Sequence, residues 1–477
     1  MDTGKLALLT DLYQLTMAYG YWDSGRAEEK AVFNLFYRKA PFGGSYAIFC
    51  GLEDVLDYLD GFSFDDEAVE YLASLKGNDG KELFPGEYLQ YLKNLQLTVK
   101  VSAPQEGTVI FPHEPMLRIE GPIIQCQLLE TALLNIINFQ TLIATKASRI
   151  CYAAEGDSVL EFGLRRAQGT DGAMSASRAA FIGGCNATSN VLAGQKYDIP
   201  VKGTHAHSWV MSFENEQDAF DNYAEVMPNN VVLLVDTYDT VEGVRKAVTT
   251  AHKLREKGHQ LIGIRLDSGD LAKLSIQARE ILDEAGLQDA AIVASNDLDE
   301  YTIADLKKCG AKISIWGVGT KLATAYDQPA LGGVYKLSAI ENQGAWNFKI
   351  KLSNDKIKVS NPGILQIRRF INDGKITADV FYNETDADLD NLEAISLDGK
   401  QSFSPEGELM DLLQPVFDQN GILVKRRDCA EIRQWSQGQL KMLETKLLDL
   451  KEPCQYLTGL ERKLNALKNR LIDEAKK

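Results

Sequence analysis

The run Val231-Val232-Leu233-Leu234-Val235-Asp236-Thr237-Tyr238-Asp239, the helix-like stretch 240–257, and then Gln260-Leu261-Ile262-Gly263-Ile264-Arg265-Leu266-Asp267-Ser268-Gly269-Asp270 decide the fold class. Two short apolar runs joined by an amphipathic segment read as parallel strands with a crossover helix. The pattern repeats on both sides. Short β-rich runs are expected at 159–162, 200–203, 231–235, 260–265, 291–294 and 312–316, with further helical stretches at 271–285 and 298–307. Polar residues and glycines gather where each run ends: Gly163-Leu164-Arg165-Arg166, residues 204–208, 236–239 and 267–270, Ser295-Asn296-Asp297, and residues 317–320. The expected class is α/β, with a parallel sheet or barrel. In a (β/α) barrel the strand C-terminal ends form the active face, so six polar strand ends imply one site.

Outward from this region, residues 125–145 read as one long apolar-periodic helix. Residues 6–22 also read as a helix, with Thr10-Asp11 at its start and Leu12, Leu15, Thr16, Ala18 and Tyr19 on its apolar side. Residues 31–37 alternate as a strand, and 97–120 is strand-rich with Pro104, Gly107, Pro112 and Pro115 as punctuation. The expected division is an α+β domain at 1–123, an α/β barrel with the site at 124–345, and a C-terminal α+β and helical region at 346–477. The tail 430–477 reads as helical, broken at Pro453 and Gly459.

A chain of 477 residues is too long for one hydrophobic core. Its net charge of −16 argues against general affinity for nucleic acid or anionic membrane. It does not exclude phosphate ligands, which are held by local amides and arginines. No apolar run reaches the length of a membrane span, and Met1-Asp2-Thr3-Gly4-Lys5 does not read as a signal peptide. Seven scattered cysteines without a CxxC pair read as reduced thiols, and a cytoplasmic protein is expected.

Several runs have the residue types that phosphate and sugar chemistry needs. Arg265 interrupts an apolar strand, and Asp267, Ser268, Gly269 and Asp270 follow it. Ribose hydroxyls need carboxylate acceptors, and phosphates need arginine or backbone donors. A plain Asp-Ser helix cap accounts for Ser268 or Asp270 but leaves Arg265 unexplained. Asp236 ends its run as a carboxylate suited to ribose hydroxyls, Mg²⁺-pyrophosphate or a cap. Gly203-Thr204-His205-Ala206-His207-Ser208 holds two of the five histidines. Their i, i+2 spacing without a third ligand is a poor metal pattern. A nucleophile toward phosphate and ordinary strand-end imidazoles both stay open. Gly317-Val318-Gly319-Thr320 and Gly332-Gly333, with Lys336 beyond, offer either a phosphate cradle or bare turns. Phe162 with Arg165 and Arg166 supplies an aromatic wall and guanidinium for a flat anionic ring. Tyr13 alone reads as a packing residue.

Taken together, seven ordered runs over residues 8–337 resemble the nicotinate phosphoribosyltransferase family. They are residues 8–17 (Thr10-Asp11-Leu12-Tyr13-Gln14 at their centre), 162–169, 203–208, 235–238, 265–270, 317–320 and 331–337. The resemblance implies a type II phosphoribosyltransferase fold, an irregular (β/α) barrel beside an α+β domain with a C-terminal α-rich extension. It also implies a head-to-tail homodimer with a shared site.

By the same resemblance, Tyr13 and Phe162 sandwich the pyridine ring, while Arg265 and Thr204 contact nicotinate or a neighbouring anion. Arg165 lies by the phosphates, and Asp236 and Asp267, with Ser268 and Gly269 in the same run, serve ribose and Mg²⁺-pyrophosphate. Gly317, Gly319, Thr320, Gly332 and Gly333 take the 5-phosphate, and His207 is the residue that ATP phosphorylates. His205 departs from the apolar residue more usual before Ala206. The implied activity is ATP-coupled synthesis of nicotinate mononucleotide and pyrophosphate from nicotinate and 5-phosphoribosyl 1-pyrophosphate, in NAD salvage. Mg²⁺ is the expected cofactor, its ligands left open.

The alternatives are a nicotinamide or quinolinate phosphoribosyltransferase, or a catalytically silent metabolite-binding relative. Residues 183–190 bear on the first, because nicotinamide-using relatives carry an aspartate there and this chain has none. An aspartate would repel nicotinate, whereas hydroxyls and amides can donate to it.

Overall fold

The computed structural model describes residues 6–355, 358–390 and 392–476, so the reading of residues 1–5 lies outside the described residues. Two compact units form, one from residues 1–142 with 330–477 and one from 143–329.

The first unit is built on a seven-stranded antiparallel sheet ordered Ala345–Phe348, Val334–Asn342, Lys30–Phe36, Leu117–Pro122, Lys100–Ala103, Gln414–Asp418 and Gly421–Ile422. Its inner strand Lys30–Phe36 is buried along six of seven residues, which suits the run Ala-Val-Phe-Asn-Leu-Phe. The one polar residue in that run, Asn34, donates from its side-chain amide to Ser338 Oγ at 2.9 Å. A second, six-stranded sheet joins segments between residues 365 and 461. It packs Leu365, Ile367, Phe381 and Leu460 against Leu464 and Leu467 of the helix Arg462–Glu474. Each such leucine or phenylalanine contributes about 1.5–3 kcal/mol by leaving water.

Three expectations change here. The first helix is Leu12–Asp23, not 6–22. Asp11 adopts an extended conformation and accepts from Thr131 Oγ1 at 3.0 Å, which ties the chain down before it can coil. The helix at 125–145 becomes two, Ile123–Leu128 and Glu130–Ala153. The tail holds helices Cys429–Lys441 and Arg462–Glu474 with a strand, Leu457–Glu461, between them. Gly459, read as a helix break, sits in that strand, where a Cβ would lie 2.7 Å from the Phe403 ring. The packing also groups residues differently from the three-part division. Residues 124–142 and 330–345 join the first unit, since Val334–Asn342 pairs with Lys30–Phe36.

The second unit is a parallel sheet ordered Ala187–Thr188, Ser158–Glu161, Ile315–Val318, Ala291–Ala294, Gly263–Leu266 and Val232–Leu234. Helices Thr240–Glu256, Leu271–Glu284 and Glu300–Lys308 connect the later strands. Asp239, Asp270 and Asp299 cap them by accepting from backbone N–H groups in the first turn. The strand expected at 200–203 is reduced to one bridge, Val201 to Thr188. Pro200 has no N–H to give, which limits the ladder. His205 then accepts from the Leu234 N–H at 3.2 Å, so this irregular segment touches both edge strands and curls the sheet into an irregular barrel. Among the described residues, no helix is long and apolar enough to cross a membrane.

Candidate active site

Alternation along Gly263–Leu266 buries Ile264 and Leu266 and leaves Arg265 half-buried on the other face. Its guanidinium is held by three partners. Nε donates to Ser295 Oγ at 2.8 Å, Nη1 to Thr204 Oγ1 at 2.9 Å, and Nη2 to Asp267 Oδ1 at 2.9 Å. Its Cζ lies 5.9 Å from the centroid of the Phe162 ring. A planar fork fixed this way can present its remaining donors to an anion without further ordering.

Asp267 also accepts from Ser295 Oγ. Burial works to raise the Asp267 carboxyl, but the Ser295 hydroxyl and the Arg265 guanidinium outweigh it and hold it below the usual aspartate range. Asp236 is nearly buried, and its Oδ2 accepts from Asp267 N at 2.7 Å and Ser268 Oγ at 2.8 Å. Its Oδ1 is buried without a hydrogen-bond partner. Ser268 therefore braces a carboxylate and is not a helix cap, while Asp270 is the cap.

The two histidines separate cleanly. His207 opens the short helix His207–Met211; its Nδ1 lies 3.1 Å from Thr237 Oγ1. Its Nε2 lies 3.8 Å from Asp267 Oδ2 and 4.0 Å from Asp236 Oδ1, and the side chain is 39% exposed. His205 is buried against Tyr223, with ring centroids 4.8 Å apart. Accepting from Leu234 N–H requires an unprotonated Nε2, so Nδ1 bears the proton and faces Ala206 O at 3.4 Å. Burial, with Arg265 and His207 nearby, pushes its pKa down to about 4.

A prediction follows for His205. Between pH 6.5 and 4 the unfolded imidazole takes a proton that the folded one refuses, so stability falls as pH falls through this window. The loss should reach about 3 kcal/mol by pH 4. His113, also pushed down to about 4, adds a parallel slope. The measurement is therefore a difference: urea midpoints of wild type and His205→Asn from pH 7 to 4, with the variant keeping the shallower slope. Equal slopes would sink the assignment.

Phe162 follows the strand Ser158–Glu161, and its N–H donates to Val318 O at 2.8 Å. Gly317 lies beside it: a Cβ at 317 would be 2.7 and 2.8 Å from two Phe162 ring carbons. Arg165 is exposed in the short 3-10 turn Leu164–Arg166. Gly319 precedes the helical turn Thr320–Ala323, with Thr320 its first residue and half-buried. Gly269 has φ +76°. All these residues belong to the barrel unit.

Tyr13, Gly332 and Gly333 belong to the other unit. Tyr13 is 47% exposed. Gly332 has φ +76°, and Gly333 lies so close to the Asn138 side chain that a Cβ would collide with it.

Four residues escaped the sequence reading: Thr237, Ser295, Ser177 and Glu161. Ser295 and Thr237 stood in the strand-end clusters, which was the available signal. Glu161 is 1% exposed and accepts from Ser177 Oγ at 2.9 Å and Thr188 Oγ1 at 2.6 Å. This bears on residues 183–190. Thr188 gives its hydroxyl to Glu161, and Asn190 accepts from Ala193 N and donates to Ser177. These donors, expected to meet the substrate, are engaged within the protein. Among the described residues, no cluster of three or more His, Cys, Asp or Glu is arranged to hold a metal.

Comparison with known proteins identifies the family. Family profiles for the nicotinate phosphoribosyltransferase N-terminal domain, the family itself and its C-terminal domain match residues 8–138, 158–358 and 366–468. The nicotinate phosphoribosyltransferase of Bacillus subtilis is 43% identical over 99% of this chain and 96% of its own length. That of Dictyostelium discoideum is 38% identical over 94% of this chain and 82% of its own. The human nicotinic acid phosphoribosyltransferase structure superposes with TM-score 0.84 at 32% identity, covering 97% of this chain and 99% of that one. A nicotinate-nucleotide pyrophosphorylase structure from Pyrococcus furiosus, 23% identical with TM-score 0.70 over 92% of this chain and 95% of that one, shares the fold. The α/β architecture is the type II phosphoribosyltransferase fold, and the chain belongs to the nicotinate phosphoribosyltransferase family.

Proposed function

We propose that this chain joins nicotinate to the phosphoribosyl group of 5-phosphoribosyl 1-pyrophosphate, releasing pyrophosphate, with ATP hydrolysis coupled through a phosphohistidine at His207. One observation carries the reading. An exposed imidazole stands beside two carboxylates, 3.8 and 4.0 Å from its Nε2, and one of those carboxylates also grips an arginine that lies by an aromatic ring. Anion, sugar and phosphoryl chemistry are served in one place.

Phe162 and Arg265 take the flat anionic pyridine carboxylate, Thr204 steadies Arg265, and a second copy's Tyr13 in a homodimer covers the other ring face. Gly319 and Thr320 receive the 5-phosphate, and Arg165 the phosphates. Asp236 and Asp267 serve ribose and pyrophosphate. Asp236 Oδ1, a buried acceptor without a partner, fits a ribose hydroxyl or a Mg²⁺ that keeps substrate and water as its other ligands. Bound Mg²⁺ would supply positive charge to the departing pyrophosphate.

The pyridine nitrogen forms a bond to the anomeric carbon as the bond to pyrophosphate breaks, and no proton moves. The protein therefore works by orientation and charge placement. His207 Nδ1 is engaged by Thr237, which leaves Nε2 to attack the terminal phosphorus of ATP while ADP departs. Water later takes that phosphoryl group. Both nitrogens of His205 are occupied, which argues against it for this part.

The test is pyrophosphate release from 5-phosphoribosyl 1-pyrophosphate with nicotinate, nicotinamide or quinolinate, each with and without Mg²⁺-ATP. Nicotinate-dependent release stimulated by ATP supports the reading, and turnover with only another pyridine refutes the substrate. His207→Ala should abolish ATP stimulation and leave slow, ATP-independent transfer. Full stimulation in that variant would rule out the phosphohistidine.

A further inference from the structure

Phe162 has little of its own to hold it: it lies just past a strand and its ring is partly exposed. The structure surrounds it with constraints that chain geometry alone does not explain. Glu161, the last residue of the strand, is buried, and its carboxylate is shared among three elements. Oε1 accepts from the Gly163 N–H, the backbone amide immediately after Phe162. Oε2 accepts from Ser177 on the helix Gly169–Gly183 and from Thr188 at the sheet edge. The Phe162 N–H is fixed to Val318 O on the neighbouring strand. Both peptide N–H groups flanking the ring are thus spoken for.

On the other side lie the glycines. Gly317 leaves the space that the Phe162 ring occupies, since a Cβ would come within 2.7 Å of it. Gly163 has no room either, with Ala323 in the way and Glu161 Oε1 at 2.9 Å. Gly317 lies inside the strand Ile315–Val318 and is buried. Its lack of a side chain is explained by the ring, with no appeal to a turn.

We infer that Glu161 and Gly317 are positioning residues for the pyridine ring, acting through Phe162: the carboxylate clamps the backbone around the aromatic residue, and the glycine seats its ring beside Arg265. This rests on the reading of Phe162 as a wall of the nicotinate site. It assigns Gly317 a role other than binding the 5-phosphate. The physical basis is that an aromatic wall contributes only when held at the right distance, and small misplacements are costly.

The experiment is a mutant cycle on the full chain, with KM measured separately for nicotinate and for 5-phosphoribosyl 1-pyrophosphate. Glu161→Gln keeps the shape but replaces one acceptor with a donor. It should raise the nicotinate KM about tenfold and leave the other within about twofold. Gly317→Ala should do the same, and Phe162→Leu in that background should recover part of the loss by relieving the collision. In a Phe162→Ala background neither change should raise the nicotinate KM further, because the residue they act through is gone.

If both changes keep their full effect there, the inference is overturned. If Gly317→Ala raises the 5-phosphoribosyl 1-pyrophosphate KM and spares nicotinate, the glycine serves phosphate and the inference also fails. Should Glu161→Gln not fold, the Gly317 and Phe162 arms still decide the ring seat. If Phe162→Ala alone leaves the nicotinate KM unchanged, the aromatic-wall reading falls and takes this inference with it. That outcome is distinct from a wall that matters without its supports.

Discussion

Arg265→Ala should lower kcat/KM for nicotinate about a thousand-fold, the larger part through the nicotinate KM. Three protein partners hold this guanidinium, at 2.8, 2.9 and 2.9 Å. Truncation removes the charge offered to the substrate carboxylate and also strands Thr204, Ser295 and Asp267. A hydrogen bond to a charged group is worth about 1.5–3 kcal/mol, and two such losses amount to about three powers of ten in rate. Arg265→Lys keeps the charge without the fork and should fall between, at about a hundred-fold. Steady-state pyrophosphate release at varied nicotinate measures both. A loss below tenfold for the alanine variant would mean that the guanidinium is a structural strut only.

Asp236→Asn should act on the chemical step. Asp236 Oδ2 organises the following strand end by accepting from Asp267 N and Ser268 Oγ. An asparagine oxygen can keep those two bonds. The amide nitrogen then falls where the unpartnered Oδ1 stands, so a buried acceptor becomes a donor and one negative charge is lost. A fall in kcat of about a thousand-fold is expected, with the nicotinate KM within about threefold. Mg²⁺ titration of the variant should require higher concentrations to saturate. A change confined to KM would remove Asp236 from the reacting centre. The contrast with Arg265→Ala is itself informative, since one variant loses pyridine recognition and the other loses ribose and pyrophosphate handling.

His205 and His207 show where reading a sequence stops. They are two residues apart, and as strand-end imidazoles both candidate roles stayed open. Folding puts one against Tyr223 with its Nε2 spent on Leu234, and the other beside two aspartates from different strand ends. A substitution that looks ambiguous in the run becomes a buried hydrogen-bond acceptor that helps curl the barrel.

Arg265 and Asp236 were legible because each breaks an apolar strand pattern, and breaking a local pattern needs a reason. Glu161 also ends an apolar run, but its partners Ser177 and Thr188 come from 16 and 27 residues away, and nothing local announces them. Gly317 was legible as a glycine but not as a seat for Phe162, because the ring that a missing Cβ makes room for follows a strand far earlier in the chain, beside which parallel pairing places it.

The sequence by itself determined the parallel α/β unit, the polar strand ends and the family, because strand and helix periodicity and ordered short runs are local properties of the chain. Only the tertiary structure decided that residues 330–345 rejoin the first unit, that the segment at 200–203 is a single bridge, and that Thr204, Ser295 and Asp267 share one guanidinium. These are contacts between residues far apart in sequence. Arg265 reaches Thr204 across 61 positions and Ser295 across 30, and such pairings depend on sheet order and register, which local patterns do not encode.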